Sequence, residues 1–179
     1  QAENFRKMII STTRDLRVIM IKFADRLHNL QTLKPFRAEK RWRIARETLE
    51  VYAPIASRLG VRRIAQQLQD MSFEELHPMR FKVVAKAMKT ARKMQRELFS
   101  NILEGLRAAL AENKVNASVT GREKSVHSTY LKMRERHLSF SQVSDIYGFR
   151  IVVHDVLSCY LALGVLHTNF KIVPGKIKD

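Results

Sequence analysis

The sequence has little of several things that define particular protein classes. It contains a single cysteine, Cys159, which excludes an internal disulfide and a cysteine-based zinc cluster and makes a reducing cytosolic setting the default expectation. Glycine and proline number only 6 and 4, so collagen-like and low-complexity chains are excluded. No apolar run approaches the roughly 18 residues of a membrane span, and no signal peptide is visible, so no membrane partner is expected.

Acidic residues are also scarce, with 17 Asp and Glu against 33 Lys and Arg, which gives a formal net charge of +16. Such a charge points to polyanions, namely nucleic acid, acidic membrane or phosphorylated small molecules, or simply to a solvated helical surface. Hydrophobic residues make up 45% of the 179, enough for one ordinary domain or two small ones. Because the chain begins at Gln1 rather than Met, we expect a piece of a longer protein.

Hydrophobic periodicity predicts an almost wholly helical segment over residues 1–113, followed by the opening of an α/β unit, so the predicted fold class is α+β. Asp15 is expected to cap the first helix and Pro54 to kink or break the second. The first helix has an apolar stripe of Leu16, Met20, Phe23, Leu27 and Leu30. Helices are predicted over 15–33, 38–58, 61–76, 78–112, 125–136 and 156–169, and strands over 115–119, 146–153 and 170–173, with 146–153 buried.

A first group of polar residues lies in the first predicted helix. Lys22, Asp25, Arg26 and Asn29 stand at offsets of three and four, which predicts one shared face away from the apolar stripe. Asp25 offers a hard oxygen ligand for Mn or Mg, and Asn29 offers an amide, while His28 is either a group behind the ligands or a core histidine. A hard cation needs several ligands, so spacing alone favours an ordinary helix surface with an ion pair.

A second group surrounds Gly121. Residues 121–124 stand between a predicted strand and a predicted helix, where backbone N–H groups and basic side chains can meet an anion. Arg122 can stack on a base or fork onto phosphate. Lys124, Ser128 and Lys132 step by four along one helix face, and spacing leaves a phosphate-binding ladder and a solvated basic helix near parity.

Two further candidates lie towards the end of the chain. Asp145 immediately precedes the predicted strand 146–153, where a carboxylate can hold Mg²⁺ against phosphates, although a turn-forming Asp is the commoner explanation. Lys176 and Lys178 form a basic segment after Pro174, for which a plain basic turn is the alternative.

Several motifs, in the same order along nearly all 179 residues, resemble the RelA/SpoT family of alarmone synthetase-hydrolases. The N-terminal motifs are Gln1-Ala-Glu-Asn-Phe-Arg-Lys-Met8, Ile21-Lys-Phe-Ala-Asp-Arg-Leu-His-Asn29 and Tyr52-Ala-Pro-Ile-Ala-Ser-Arg-Leu-Gly60. The C-terminal ones are Gly121-Arg-Glu-Lys-Ser-Val-His-Ser-Thr-Tyr-Leu-Lys-Met133, Phe140-Ser-Gln-Val-Ser-Asp-Ile-Tyr-Gly-Phe-Arg150 and Cys159-Tyr-Leu-Ala-Leu-Gly-Val-Leu-His167.

The resemblance implies a division into three parts. Residues 1–60 would be the C-terminal part of an HD-type hydrolase domain, 61–113 connecting helices, and 114–179 the N-terminal part of a nucleotidyltransferase-like (p)ppGpp synthetase domain. The family's hydrolase removes pyrophosphate from the 3′ position of (p)ppGpp with Mn²⁺. The resemblance makes Asp25 a manganese ligand and Asn29 a nucleotide contact, and it implies that the other ligands lie upstream of Gln1.

The family's synthetase transfers pyrophosphate from ATP to the 3′-hydroxyl of GTP or GDP with Mg²⁺. The resemblance implies that Arg122 stacks on guanine and that Asp145 binds Mg²⁺. The implied nucleotide-phosphate residues are Lys124, Ser128, Lys132, Lys176 and Lys178, with Arg122, Lys124 and Lys132 also taken as catalytic. His127 stands where many members carry Tyr. The catalytic Glu is expected beyond Asp179, so the chain is expected to hold parts of two sites and to be inactive alone.

Two other functions stay open. A basic nucleic-acid-binding module is suggested by the clusters at 37–46 and 82–96, although aromatics at 8% give little of the interleaving that single-strand binders show. A scaffold that transmits signals between domains would use the predicted helix 78–112. Ribosome association and other regulators would belong to regions outside this sequence.

Overall fold

The computed structural model describes residues 15–143 and 146–171. The helices are α1 (Leu16–Gln31), α2 (Ala38–Glu47), α3 (Ala53–Arg58), α4 (Arg62–Leu76), α5 (Pro78–Glu112), α6 (Val126–Glu135) and α7 (Val156–Asn169). The strands are β1 (Ser118–Glu123) and β2 (Tyr147–Val152), and short π-helical and 3₁₀ turns span Thr48–Tyr52 and Phe140–Gln142. This mostly helical chain with a small sheet confirms the predicted α+β class.

Packing divides the chain into two compact units. The first unit comprises residues 1–86 with 125–136, and the second comprises 87–124 with 137–179. Helix α6 therefore belongs to the first unit although it follows β1 in sequence. The domain boundaries drawn from the sequence, 1–60, 61–113 and 114–179, stay a prediction.

The core of the first unit lies among α1 to α4. Asp15 caps α1, since its carboxylate accepts a 2.9 Å hydrogen bond from the Arg17 N–H, which confirms the predicted cap. Ile19 and Phe23 are fully buried, whereas Leu16 is 60% exposed. The predicted stripe is thus wrong at its start, because the inward face of α1 runs through Ile19 rather than through Leu16 and Met20. The other buried apolar residues include Leu30, Leu33, Ala45, Tyr52, Ala56 and Leu68.

The predicted irregularity at Pro54 is confirmed as a π-helical turn. The Ala53 N–H donates to the Thr48 carbonyl, five residues back, and Pro54 falls in the first turn of α3. Proline carries no N–H for an α-helical bond and its ring crowds the preceding turn, so one widened turn lets the chain continue as helix.

The second unit is built on a two-stranded antiparallel sheet. β1 pairs with β2 from Ser118↔Val152 to Glu123↔Tyr147. The sheet packs with α5 and α7 around Leu106, Leu110, Val119 and Ala162. β2 is half-exposed, so the expectation of a buried strand over 146–153 is wrong.

β1 begins three residues later than predicted and extends further. Lys114 has a φ of 57°, and the Val115 N–H donates to the Leu110 carbonyl at 2.9 Å, so residues 114 and 115 close the C-terminus of α5. Residues 115–117 therefore leave the helix rather than pair in the sheet. Among the described residues, no helix is both long and apolar enough to cross a membrane.

Candidate functional site

The motif on α1 places Asp25 beside Asn29. The offset of four puts both side chains one turn apart, and the Asn29 Nδ2 donates to the Asp25 Oδ2 at 3.4 Å. Asp25 is exposed and Asn29 is half-buried. The structure thus brings together the predicted metal ligand Asp25 and the predicted nucleotide contact Asn29, with the carboxylate open to solvent.

The chemistry of Asp25 fits one position of a divalent-metal centre. Its oxygens are hard donors of the kind that Mn²⁺ and Mg²⁺ accept. Within residues 15–143 and 146–171, no three His, Cys, Asp or Glu side chains cluster closely enough to hold a metal ion. A hard cation requires several ligands, so the described residues supply a single ligand position and not a complete centre.

Arg26 does not share the exposed face predicted for it. Its guanidinium forms two hydrogen bonds to the Glu47 carboxylate, at 2.8 and 3.0 Å, and one to the Tyr52 hydroxyl at 3.1 Å. It also lies 4.2 Å from the centre of the Tyr52 ring. Arg26 follows buried Phe23 by three residues and precedes buried Leu30 by four, so it belongs to the inward stripe. His28 is exposed, so it is no core histidine.

Arg122 lies within β1 and not in a strand-to-helix junction, so that part of the sequence prediction is wrong. The strand runs through Glu123 because it pairs with β2 as far as Tyr147. Arg122 is exposed, and its register partner is Gly148. A Cβ built on Gly148 would lie 3.7 Å from the Arg122 Nε, so the arginine side chain lies across the strand at its glycine.

Three side chains of α5 fix β1. The Phe99 ring covers Gly121, where an added Cβ would overlap the ring, and stacks on Phe149 with centroids 5.1 Å apart. Arg92 pairs with Glu123, and the Arg107 Nη2 donates to the Val119 carbonyl at 3.1 Å. Sequence reasoning did not find Phe99, because its partners are more than twenty residues away. The one available signal was a glycine inside a strand.

The N-terminal turn of α6 already has protein partners. Ser125 caps the helix, and its Oγ accepts from the Ser128 N–H at 3.1 Å. The His127 N–H donates to the Asp70 Oδ1 at 2.9 Å. The expected anion site made of backbone N–H groups is therefore wrong here, because a carboxylate and a hydroxyl of the protein occupy them. Asp70, on α4, was missed by the sequence reasoning, since a lone Asp in a helix gives no signal.

The predicted phosphate-binding residues do not all belong to one packing unit. Arg122 and Lys124 belong to the second unit, whereas Ser128 and Lys132 belong to the first. Lys124 and Lys132 are half-buried, and Ser128 is exposed. The Lys124 N–H donates to the Ile146 carbonyl at 2.8 Å, which extends the strand pairing by one bond.

His127 is a buried neutral group and not an exposed ligand. It is 8% exposed, and its ring lies 5.4 Å from that of Phe73. Burial, together with smaller effects of the positive charges of Arg134 and His77, lowers the pKa of His127 to about 4. Its Nδ1 is buried with no hydrogen-bond partner. At neutral pH the ring packs as an aromatic.

The remaining candidates lie outside the described residues. These are Asp145, Lys176 and Lys178, together with the motif at 1–8 and the predicted strand over 170–173 beyond Lys171. Their proposed roles stay predictions.

Comparison with known proteins identifies both halves. A model described as an HD domain matches residues 1–62, and one described as a region found in RelA / SpoT proteins matches residues 121–179. All 179 residues align at 46% identity with the bifunctional (p)ppGpp synthase/hydrolase SpoT of Escherichia coli K12, of which they cover 26%. They also align at 45% with a guanosine-3′,5′-bis(diphosphate) 3′-pyrophosphohydrolase of Haemophilus influenzae, covering 26% of it. A GTP pyrophosphokinase rsh of Brucella melitensis matches at 41%, with 24% covered.

The chain therefore spans about a quarter of the length of the curated relatives it matches. The two family models match in the same order as the two groups of motifs, and the identity holds over the whole chain. The RelA/SpoT resemblance that the motifs predicted is therefore confirmed: an HD-domain match is followed by a RelA/SpoT-region match, and the whole chain is similar to SpoT and Rsh relatives.

Proposed function

We propose that this chain is part of a bifunctional enzyme that makes and breaks (p)ppGpp, with Arg122 in the synthetase half and Asp25 in the hydrolase half. One observation carries the proposal: all 179 residues align at 41 to 46% identity with relatives whose names state one or both reactions. The activities are proposed for the full-length protein, since the relatives are about four times as long.

In the hydrolase half, Asp25 supplies one ligand to Mn²⁺, a metal that activates water when it is bound. The Asn29 amide orients the Asp25 carboxylate and contacts the nucleotide. Both side chains keep their positions because Arg26 fastens α1 to Glu47 and Tyr52 behind them. The other ligands come from residues outside this chain.

In the synthetase half, the 3′-oxygen of GTP or GDP attacks the β-phosphorus of ATP. AMP leaves with the electron pair of the broken bond, and the hydroxyl proton passes to a base outside this chain. Catalysis of this kind is mostly positioning and neutralisation of charge on phosphate oxygens. Arg122, extended and exposed on β1, stacks on the guanine. Lys124, Ser128, Lys132, Lys176 and Lys178 bind phosphates, and Asp145 holds Mg²⁺.

The partners that follow are ATP, GTP or GDP, and (p)ppGpp, in the cytoplasm and without a membrane partner. Any ribosome or regulator contact would use regions outside this chain.

Substitution of Arg122 tests the synthetase assignment. Arg122→Ala should weaken binding of a fluorescent GTP analogue about tenfold or more, because the guanidinium plane is lost. Arg150→Ala removes another exposed arginine, from the neighbouring strand, and should bind like the wild type. Equal affinity of wild type and Arg122→Ala would end the assignment.

Substitution of Asp25 tests the hydrolase assignment in the full-length protein. Asp25→Ala should abolish Mn²⁺-dependent ppGpp breakdown and leave ppGpp synthesis intact. Glu39→Ala removes another exposed carboxylate, from α2, and should preserve both reactions. Breakdown that persists in Asp25→Ala would refute a metal role for this residue.

A further inference from the structure

We infer that Asp70 is a positioning residue for nucleotide binding: from α4 it holds the N-terminal turn of α6, the helix that carries Ser128 and Lys132. The inference rests on the proposed function and extends it to a residue outside every motif of the family resemblance described above. All the residues concerned belong to the first unit.

The contact between Asp70 and α6 is a defined hydrogen bond between residues that are far apart in the sequence. The Asp70 Oδ1 accepts a 2.9 Å hydrogen bond from the backbone N–H of His127, which is 57 residues away. Burial raises the pKa of the Asp70 carboxyl, while hydrogen bonds from the His127 N–H, the Ser125 side chain and the Val126 N–H lower it. A carboxylate at a helix N-terminus is favoured by the first-turn N–H groups and by the helix dipole. Asp70 therefore fixes α6 at its first turn.

Ser125 connects Asp70 to the proposed phosphate-binding hydroxyl. The Ser125 Oγ lies 2.9 Å from the Ser128 Oγ and accepts a hydrogen bond from the Ser128 N–H at 3.1 Å. Asp70, Ser125 and Ser128 thus form one hydrogen-bonded chain from α4 to an exposed side chain of α6. Loss of the Asp70 carboxylate would remove the hydrogen-bond partner of Ser125, and the Ser128 side chain would then lose its fixed orientation.

A second contact of α4 sets the rotation of α6. Phe73, one turn after Asp70 on α4, stacks on Tyr130 with ring centroids 4.6 Å apart. The Asp70 contact and the Phe73 contact meet α6 one turn apart, so together they fix both its position and its rotation about the axis. Stacking alone tolerates sliding, whereas the hydrogen bond from His127 sets the register. Asp70 is therefore the residue whose loss should disturb Ser128 and Lys132 without removing the core.

The occupied helix terminus also bears on phosphate recognition. The N–H groups of His127 and Ser128 point to Asp70 and Ser125, and the negative charge of Asp70 repels an anion from that end. A phosphate bound at α6 would therefore contact the side chains of Ser128 and Lys132 and not the N–H groups of the first turn. This agrees with the roles proposed for those two residues.

The test uses the full-length protein and four variants. Asp70→Ala should raise the dissociation constant for the GTP analogue about tenfold. Asp70→Asn keeps a side-chain oxygen that can accept from the His127 N–H, so it should restore most of the affinity. Glu74→Ala removes an exposed carboxylate from the same helix and should bind like the wild type. Asp70→Glu keeps the charge but lengthens the side chain, so it should bind the GTP analogue more weakly than the wild type. It replaces Asp70→Ala in the test if Asp70→Ala does not fold.

A double-mutant cycle separates positioning from mere stability. If Asp70 acts through Ser128, Asp70→Ala should cost less affinity in a Ser128→Ala background than in the wild type. Additive losses, or wild-type affinity in folded Asp70→Ala, would overturn the inference. Hydrogen exchange at the His127 and Ser128 amides is measured in parallel and should accelerate in Asp70→Ala. A wild type that binds no guanine nucleotide would instead refute the proposed function, and the exchange rates would still decide whether Asp70 holds α6.

Discussion

Gly121 and Gly148 lie on neighbouring strands, but packing excludes a side chain only at Gly121. A Cβ on Gly121 would overlap the Phe99 ring, whereas a Cβ on Gly148 would make ordinary contacts with Arg122 at 3.7 and 3.9 Å. Overpacking a filled site costs about 1–3 kcal/mol, while a side chain with room costs little. Gly121→Ala should therefore lower the free energy of unfolding by about 2 kcal/mol, and Gly148→Ala should change it by under about 0.5 kcal/mol.

Urea denaturation of the two variants measures the difference. Because the ring of Phe99 is the obstacle, Gly121→Ala combined with Phe99→Leu should be less destabilised than the sum of the single changes. Equal stabilities of Gly121→Ala and Gly148→Ala would show that the packing of Phe99 on β1 is not as described.

His127 makes the stability of the first unit depend on pH. Because burial holds the pKa of His127 at about 4, below the ordinary histidine value of 6.5, the unfolded chain binds more protons than the folded chain between these two pH values. The stabilisation from the neutral ring is complete above about pH 6.5 and is lost as the pH falls towards 4, by about 2–3 kcal/mol. The raised pKa of Asp70 contributes with the opposite sign.

Comparison with His127→Phe isolates this contribution, since both proteins contain Asp70, His77 and Arg134. Phenylalanine keeps the contact with Phe73 and cannot take up a proton. The wild type should lose stability relative to His127→Phe as the pH falls from 6.5 to 4, as measured by thermal unfolding in a pH series. Parallel curves for the two proteins would contradict the buried neutral state.

At the scale of whole elements, one arginine adds a polar link between helix α1 and its neighbours, beside the apolar core. Arg26 bridges to Glu47 on α2 and to Tyr52 in the π-helical turn, with its side chain only 17% exposed. Removing one partner of such a half-buried pair leaves the other unsatisfied, so Arg26→Ala should cost about 1–3 kcal/mol in the free energy of unfolding. Arg26→Lys should recover only part of the lost free energy of unfolding, because an ammonium cannot form the bidentate hydrogen bond to Glu47 and stack on the Tyr52 ring at once. Lys22→Ala, on the exposed face, serves as the control and should change stability by under about 0.5 kcal/mol.

The elements themselves were largely predictable, because helices depend on local signals. Periodicity, Asp15 and Pro78 located α1, α4 and α5 to within a few residues. The predicted boundaries are wrong where the end of a helix or a partner distant in sequence decides the structure. The left-handed turn at Lys114 shortened the expected strand at its start, and pairing with β2 lengthened it at its end. Neither effect is visible in a window of ten residues.

The same difference, between local spacing and contacts that are distant in sequence, decides which parts of the candidate site could be predicted. Asp25 and Asn29 could be placed together from their spacing, since an offset of four on a helix fixes their neighbourhood. Arg26 could not, because the inward face of α1 is set by packing against α2 and the π-helical turn. The contact of Asp70 with His127 joins positions 57 residues apart, and only the folded chain reveals it.

At the scale of the whole molecule, we expect the net charge of +16 to support two different kinds of anion binding, which their dependence on salt can separate. Exposed Arg37, Lys40 and Arg43 carry no role in the proposed sites and attract polyanions only through counterion release. Their replacement by Gln should reduce the slope of log K against log salt for a single-stranded oligouridine by about 2, and leave GTP binding unchanged. Arg122→Ala should do the reverse and weaken GTP binding about tenfold or more, with little effect on RNA binding. Titrations from low to physiological salt measure both, and salt-sensitive RNA binding by a protein with no preference for guanine nucleotides would favour a nucleic-acid-binding module instead.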